Sequence, residues 1–334
     1  MLPVPDARVE VPRSLDEALS LLARAAQQGV RARVLAGGTD LVPNLKRGQE
    51  RAELLVSLAS VRGLDDIGES EGELRIGALS RLARVSAHPL VRDRAAVIAK
   101  TAALIASPQI REMATIGGNL CLDTRCRHVN QTGFWRDALG NCIKAPGANV
   151  APPCHVVPGG RHCVASASAD LPPLLLALGA RVRIVSRDGE RTIAMGTLYR
   201  NDGVAPLTLA AGELLAEILV PTHGLRAAYQ KLRARRAIDF PVLGLAVAMR
   251  ADADATCRQL QVVATGVTPA PRAVGKLDPI AVGQKLDRGT VAAIGARCRE
   301  GLKPLTTFGD DTEWRRDMIP VLVRRAFAEL GFGG

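Results

Sequence analysis

The chain has 334 residues, of which 47% are hydrophobic and 23% are charged, so it is long enough to bury a full core in two or three domains. The formal net charge is +11, but the basic residues are spread without aromatic interleaving, so we expect no nucleic acid, and an acidic protein partner fits the charge at least as well. No apolar run approaches the roughly 18 residues of a membrane span, and the first residues carry no signal segment, so we expect a cytoplasmic protein without membrane contact.

The N-terminal part predicts a helix, a strand and a glycine turn. Ser14 to Glu17 form a capping box ahead of apolar residues at helical spacing. Residues 31–36 are typical of a strand, and Gly37-Gly38-Thr39-Asp40 then turns into a short helix over residues 41–46. Such a turn gathers unpaired backbone N–H groups, which suits a phosphate, although a plain connection is the alternative. The pattern is not G-x-G-x-x-G, which disfavours a Rossmann fold.

A second glycine pair follows in residues 110–120, after predicted strands over 54–58 and 74–79 and one predicted helix over 91–105. Like the first, it stands beside hydroxyl and amide side chains. Two such turns together favour a dinucleotide pyrophosphate site more than either does alone.

The remaining pattern predicts two further groups of elements. Asp170 is expected to cap a helix, followed by a hairpin over residues 181–194 and a strand over 212–220. Residues 221–224 are a plausible domain boundary. Beyond them, strands over 227–232, 242–249 and 259–265 precede helices over 290–299 and 312–330, which indicates a separate α+β domain with an antiparallel sheet.

Five of the seven cysteines lie between the second glycine turn and Asp170, in a stretch rich in Pro and Gly. In a reducing cytoplasm such a group indicates a metal or redox site more than a disulfide framework. The spacings of 5, 16, 12 and 9 residues contain no C-x-x-C, so a [4Fe–4S] cluster, a zinc site and unligated thiols all stay open, with His128, His155 and His162 as further zinc ligands. For a cluster, either Cys121 or Cys126 is spare. Cys257 and Cys298 stand alone and are expected to be buried thiols.

Lys231 lies in a predicted strand that continues into a basic stretch. A solvated edge strand is one interpretation. The other is that the lysine stabilises negative charge on a reduced flavin ring.

Five motifs follow one another along the chain: LAGGTDL (35–41), IGALS (76–80), ATIGGNL (114–120), SADLPPLLLALGA (168–180) and AYQKLRAR (228–235). In this order they resemble the FAD-binding medium subunit of molybdenum hydroxylases of the xanthine dehydrogenase and carbon monoxide dehydrogenase type. The resemblance implies an α+β fold: a two-lobed FAD-binding domain of the molybdopterin dehydrogenase, PCMH type, over residues 1–222, followed by a C-terminal domain of antiparallel sheet and helices over 223–334.

The resemblance also implies which residues contact FAD. Pyrophosphate and ribose would lie at the two glycine turns, Asp170 towards the adenosine half, Leu215 by the flavin and Lys231 near its ring. The turn residues are Leu35, Ala36, Gly37, Gly38, Thr39, Asp40 and Leu41, and Thr115, Gly117, Gly118 and Asn119. Glu112 departs from the family, which usually has Asn there.

The insertion over about residues 121–165 is similar to the extra loop of the 4-hydroxybenzoyl-CoA reductase β subunit, which holds a [4Fe–4S] cluster. This likeness favours Cys126, Cys142, Cys154 and Cys163 as cluster ligands and leaves Cys121 spare. The interval from Cys142 to Cys154 is longer than expected from that relative, which leaves the identity of the third ligand open.

The implied protein is an electron-transfer subunit with FAD and a [4Fe–4S] cluster and no catalytic residue of its own. Its partners would be a large molybdenum cofactor subunit and a small [2Fe–2S] subunit, in a dimer of heterotrimers, with ferredoxin as electron donor. We expect Arg125, Arg127, Arg136 and Lys144 to make the insertion attractive to an acidic ferredoxin. A hydroxylase for another aromatic or heterocyclic substrate, and a zinc-stabilised binding or assembly protein, are the alternatives.

Overall fold

A small parallel sheet opens the chain in the computed structural model, which describes residues 6–145, 152–222 and 224–333. Its elements are β1 (Arg8–Glu10), α1 (Leu15–Gln27), β2 (Ala32–Leu35), α2 (Leu41–Lys46) and β3 (Leu54–Ser57). The strand order is β1-β3-β2, and the buried face of α1 shares a core with β3. The predicted start of α1 is confirmed, since the Ser14 hydroxyl accepts a hydrogen bond from the N–H of Glu17 at 3.2 Å.

A five-stranded antiparallel sheet with the order β4-β5-β8-β6-β7 forms the second unit. Its elements are β4 (Ile67–Ser70), β5 (Glu73–Gly77), α3 (Leu82–Ala87), α4 (Pro89–Arg94), α5 (Ala96–Ala103), α6 (Pro108–Arg111), α7 (Ile116–Leu120), α8 (Gly133–Ala138), α9 (Leu171–Ala177), β6 (Arg181–Ser186), β7 (Gly189–Ala194) and β8 (Leu214–Pro221). Helices α3, α5, α7 and α9 bury their apolar side chains in the same core as β5 and β8. The predicted hairpin is β6 and β7.

The prediction of a single helix over residues 91–105 is wrong. The structure has two helices, α4 and α5, because Ala95 leaves helical geometry with φ −150° and ψ 57°. Val91 and Ile98 are both fully buried. Residues seven apart share one face of a continuous helix, so the apolar pattern gave no sign of the break.

An antiparallel sheet with the order β12-β11-β10-β9 and three helices forms the C-terminal unit. Its elements are β9 (Arg226–Leu232), β10 (Leu243–Ala251), β11 (Cys257–Thr265), β12 (Arg272–Ala273), α10 (Asp278–Ala281), α11 (Arg288–Gly301) and α12 (Thr312–Glu329). The predicted antiparallel sheet followed by two long helices is confirmed. Cys257 and Cys298 are both fully buried in its core, as expected.

The cysteine-bearing insertion leaves after α7 and returns at α9. The two ends meet: Arg125 and Ser166 form an antiparallel bridge, and the Asn119 side chain accepts a hydrogen bond from the N–H of Leu171 at 3.3 Å. The insertion has a small apolar core of its own, which includes Val129 and Ala165. Residues 146–151 of the insertion, and His223 at the predicted domain boundary, lie outside the described residues. The division into two domains stays a prediction.

Over the described ranges, no helix has the length and hydrophobicity needed to cross a membrane.

Candidate cofactor-binding sites

The two glycine turns lie against each other. A Cβ atom at Gly37 would be 1.9 Å from the carbonyl oxygen of Met113, so only glycine fits where the first turn packs on the segment leading to Thr115. Gly38 has φ +68°, which a side chain would strain. The turns that the sequence analysis assigned to one pyrophosphate site are therefore neighbours in the fold.

The amide groups of the two turns differ in availability. In the second turn, the N–H of Gly117 donates to the Ala78 carbonyl oxygen at 2.8 Å, and the N–H of Gly118 donates to the Thr115 hydroxyl at 3.1 Å. In the first turn, no hydrogen bond within the described part of the chain takes up the N–H groups of residues 37–39. The first turn thus offers N–H donors to a phosphate. The second turn has used its N–H groups within the protein and packs against the first.

Other members of the predicted FAD set surround these turns. Leu35 ends β2, Ala36 follows it, and Leu41 begins α2. Leu215 lies in β8, is mostly buried and pairs with Ile184 of β6. The contacts of these residues with FAD stay predictions.

Asp40 of the first turn contacts the insertion directly. Its carboxylate forms a short ion pair with Arg125 and accepts a hydrogen bond from the Asn44 amide at 2.9 Å. Burial raises the pKa of Asp40, and Arg125 opposes that rise. The Arg125 guanidinium also stacks 3.7 Å from the ring centroid of Phe240, in the loop between β9 and β10. Arg125 therefore joins the glycine turn, the insertion and the C-terminal sheet.

Asp170 and Lys231 form a buried ion pair with 3.0 Å between Oδ2 and Nζ, and each side chain is only 3% exposed. The Tyr229 hydroxyl donates to the other carboxylate oxygen of Asp170 at 2.9 Å. Burial raises the pKa of Asp170 even beside the lysine. The interpretation of Lys231 as a solvated edge-strand residue is wrong: β9 is an edge strand, but the lysine points inward.

One expectation for Asp170 is corrected. Its side chain makes no capping bond to α9, because the carboxylate is held by Lys231 and Tyr229, and Asn119 caps the N–H of Leu171 instead. The resemblance placed Asp170 and Lys231 at different positions along the cofactor. In the structure the two side chains are in direct contact, and their places along FAD stay predictions.

The four predicted cluster ligands line one small cavity in the insertion. Cys126, Cys142, Cys154 and Cys163 all contribute to its wall, together with His128, His155 and apolar side chains. Three of the four cysteines are buried, and Cys142 is partly exposed. Cys126 and Cys163 are 37 positions apart in sequence and meet in this cavity. A small group of apolar residues packs around it.

Backbone N–H groups point at the sulfurs of this cavity. The N–H of Val157 donates to Cys154 Sγ at 3.4 Å, and the N–H of Ala165 donates to Cys163 Sγ at 3.5 Å. Such bonds stabilise thiolates and tune iron–sulfur clusters. Burial raises the pKa of Cys163 to about 11, so the free thiol holds its proton and metal binding at this site would release it.

The cavity does not have the geometry of a single-ion site. Among residues 6–145, 152–222 and 224–333, no three His, Cys, Asp or Glu side chains are grouped so that they could hold one metal ion. In a [4Fe–4S] cluster each iron takes one thiolate, so its four sulfurs lie farther apart than the ligands of one ion. The four thiols converge on one cavity, as a four-iron cluster would need, and the metal they would hold stays a prediction.

Cys121 lies apart from the cavity. It directly follows α7, packs against the core of the five-stranded sheet and does not line the cysteine cavity. Burial raises its pKa to about 12. This placement favours Cys121 as the spare cysteine, although the ligand set stays a prediction.

The expected basic surface on the insertion is mostly absent, because its charges point inward. Arg136 is buried and donates to the carbonyl oxygens of Val129, Gln131 and Gly48. The side chains of Arg125 and Lys144 are 11% and 9% exposed. Arg127 alone of the four reaches the surface, where it pairs with Asp310 at 2.7 Å.

Sequence reasoning missed several residues of these sites. Tyr229, which holds Asp170, gave no signal beyond its place beside Lys231. Arg125 and Lys144 were both expected at the surface, although the position of Lys144 two residues after Cys142 pointed to the cavity. Phe240 gave no signal.

The sequence matches two family models. Residues 5–223 match the FAD binding domain in molybdopterin dehydrogenase, and residues 227–330 match the CO dehydrogenase flavoprotein C-terminal domain. The chain is 29% identical over 321 residues to the 6-hydroxypseudooxynicotine dehydrogenase complex subunit alpha of Paenarthrobacter nicotinovorans, covering 96% of this chain and 92% of that one. It is 27% identical over 319 residues to the carbon monoxide dehydrogenase medium chain of Afipia carboxidovorans, covering 94% and 93%.

The fold is also similar to a crystal structure of the Cu,Mo-CO dehydrogenase in its cyanide-inactivated form. The TM-score is 0.77 at 26% identity, covering 98% of this chain and 97% of that one. Fold and glycine turns together define a flavoprotein subunit. The chain belongs to the FAD-binding subunits of the molybdenum hydroxylase family, and it is an oxidoreductase subunit whose cofactor is FAD. The family match extends to FAD and does not extend to an iron–sulfur cluster.

Proposed function

We propose that this chain is the FAD and [4Fe–4S] electron-transfer subunit of a molybdenum-containing 4-hydroxybenzoyl-CoA reductase. The whole complex would remove the phenolic hydroxyl of 4-hydroxybenzoyl-CoA reductively and give benzoyl-CoA. The chain would work in the cytoplasm beside a large molybdenum cofactor subunit and a small [2Fe–2S] subunit, as a dimer of heterotrimers, with ferredoxin as donor.

The observation that carries the proposal is the convergence of Cys126, Cys142, Cys154 and Cys163 on one cavity. A family subunit that carries electrons between molybdenum and a two-electron acceptor needs FAD alone. A second centre is useful where a one-electron donor must load the flavin, because the cluster passes on one electron at a time and bound FAD can accept electrons singly and store two. The insertion therefore favours inward electron flow and a reductive reaction.

The chain's own residues would hold the two cofactors on adjoining segments. The first glycine turn presents N–H donors to the FAD phosphates. Lys231, held by its buried pair with Asp170, would place its ammonium group near the ring where the flavin gains negative charge. Arg125 links the glycine turn to the insertion, one residue before Cys126. The two sites are thus built into one continuous structure.

A hydroxylase that acts on another aromatic or heterocyclic substrate is the second candidate. It is favoured by the relative from Paenarthrobacter nicotinovorans, whose name states that it belongs to a 6-hydroxypseudooxynicotine dehydrogenase complex. Such an enzyme would send electrons outward through the same flavin subunit. The pocket of the large subunit distinguishes the two candidates.

Spectroscopy and iron analysis of the anaerobically purified chain test the proposal. We expect a flavin band near roughly 450 nm, a broad shoulder near roughly 400 nm and about four iron atoms per chain. Serine variants of Cys126, Cys142, Cys154 and Cys163 should each lose the iron and retain FAD, whereas Cys121→Ser should keep both. FAD without iron would overturn the cluster, and zinc in its place would favour an assembly role. Turnover of the complex with 4-hydroxybenzoyl-CoA and a reduced ferredoxin then tests the substrate.

A further inference from the structure

Lys144 is a buried cation in the wall of the cysteine cavity. Its side chain is 9% exposed, and Nζ makes three short hydrogen bonds. It donates to Asp123 Oδ1 at 2.7 Å, to Thr124 Oγ1 at 2.6 Å and to the carbonyl oxygen of Gly203 at 2.7 Å. An ammonium group has three donors, so all of its protons go to oxygen and none is left for a sulfur.

Gly203, one of these acceptors, belongs to the loop on which Cys163 packs. Its N–H donates to the Cys163 carbonyl oxygen at 3.0 Å, and a Cβ at this position would lie 2.6 Å from Cys163 Sγ. The loop that contains Gly203 therefore holds Lys144 and also packs against Cys163, the predicted ligand. The charge of Lys144 acts on the cavity through space, without a hydrogen bond to sulfur.

The other charges near the cavity do not cancel this one. Arg125 is paired with Asp40, and Arg136 donates to the carbonyl oxygens of Val129, Gln131 and Gly48. Asp123 is Lys144's partner, but its side chain is 43% exposed, so water screens its charge more than that of the buried lysine. The net effect on the cavity is that of a positive charge.

We infer that Lys144 is the charge-compensating residue of the proposed cluster and raises its reduction potential. The inference rests on the proposed function and deepens it. One-electron reduction of a [4Fe–4S] centre forms and breaks no bond with the protein, and adds one negative charge that the surroundings must stabilise. The electron comes from a low-potential one-electron donor. A buried ammonium group beside the thiolates favours the reduced form, as net charge near a cluster generally does.

A redox titration of the full chain, followed by the electron paramagnetic resonance of the reduced cluster, tests this inference with three variants. Lys144→Met removes the cation, Asp123→Asn removes its anionic partner, and Lys144→Arg keeps the charge. At the potential where the wild-type cluster is half reduced, we expect the ratio of reduced to oxidised cluster to fall about tenfold in Lys144→Met, which is a shift of about 59 mV. Asp123→Asn should shift it in the opposite direction, and Lys144→Arg should stay close to the wild type.

The opposite signs separate a charge effect from a loosened site. If Lys144→Met fails to hold iron, Asp123→Asn and Lys144→Arg still decide the question, because both keep a cation. Lys100→Met, which removes an exposed lysine paired with Glu329, should leave the potential unchanged. Full iron in all variants with unmoved potentials, or shifts of the same sign in Lys144→Met and Asp123→Asn, would overturn the inference alone. A wild-type chain without iron would overturn the proposed function as well.

Discussion

Removing Lys231 should destabilise the chain strongly at neutral pH and much less in acid. At 3.0 Å and an effective dielectric constant of about 20, the attraction between Lys231 and Asp170 is about 5 kcal/mol before the cost of desolvation. Breaking a buried pair on one side typically costs about 3 to 5 kcal/mol, since the remaining charge is left without its partner. Tyr229 still donates to the carboxylate, so we expect about 3 kcal/mol for Lys231→Met.

The pH dependence follows from the carboxyl group. Burial already raises the pKa of Asp170, and loss of the lysine raises it further. Between the unfolded pKa of about 3.9 and this raised value, the native variant holds a proton that the unfolded chain has released. Its stability therefore falls as pH rises, by up to about 1.4 kcal/mol per pH unit, and the cost of the substitution should shrink from pH 8 to pH 5.

Urea unfolding of the full chain at pH 5, 6.5 and 8 measures this cost. Lys100→Met is the matched control, because its exposed pair with Glu329 should contribute less than about 1 kcal/mol at any of these pH values. The double variant Lys231→Met with Asp170→Asn, which removes both charges, should recover most of the loss. A cost for Lys231→Met equal to that of Lys100→Met, or one that does not change with pH, would refute the buried ion pair.

Three further substitutions test the close contacts of the sites. Gly37→Ala should abolish FAD binding while the far-ultraviolet circular dichroism stays near that of the wild type, because the new Cβ would lie 1.9 Å from the Met113 carbonyl oxygen; normal FAD content would refute the contact. Gly203→Ala should lower the iron content, since its Cβ would lie 2.6 Å from Cys163 Sγ, and unchanged iron would show that the loop can move aside. Arg136→Met should lower the urea midpoint by leaving buried carbonyl oxygens unpaired, whereas a surface role predicts no change.

Local signals predicted most of the fold. Ser14 predicts the start of α1 through its side-chain cap, and the glycines of the first turn predict the tight connection between β2 and α2. The antiparallel C-terminal sheet followed from three strands in succession without intervening helices. In each case the residues that determine the structure lie within a few positions of it.

The contacts that build the sites are long-range, and no local pattern encodes them. Lys231 reaches Asp170 across 61 positions, and Leu171 reaches Asn119 across 52. The location of charges in the insertion was equally hard to predict from the sequence. Arg136 and Lys144 add to the net positive charge, but both donate to backbone carbonyl oxygens and so stabilise the interior of the insertion. Net charge describes a surface only when the side chains reach it.

Arg125 provides the last test, because it couples the two proposed cofactor sites across 85 positions. Arg125→Met would remove the cation from Asp40, whose pKa is already raised by burial, and would leave the ring of Phe240 without its guanidinium partner. Asp40 precedes α2 and ends the turn that offers N–H groups to FAD. We therefore expect the dissociation constant of FAD, measured by fluorescence titration, to rise at least about tenfold.

The iron content should change little, since Arg125 does not line the cysteine cavity. Arg125→Lys keeps the charge but loses the planar stacking on Phe240, and should give an intermediate affinity. Arg127→Met is the matched control, two residues away, with a guanidinium that pairs with the exposed Asp310. Because the pKa of Asp40 would rise further without Arg125, the affinity of Arg125→Met should also depend more steeply on pH than that of the control. If Arg125→Met and Arg127→Met bind FAD equally well, the insertion is an independent appendage and the glycine turn does not depend on it.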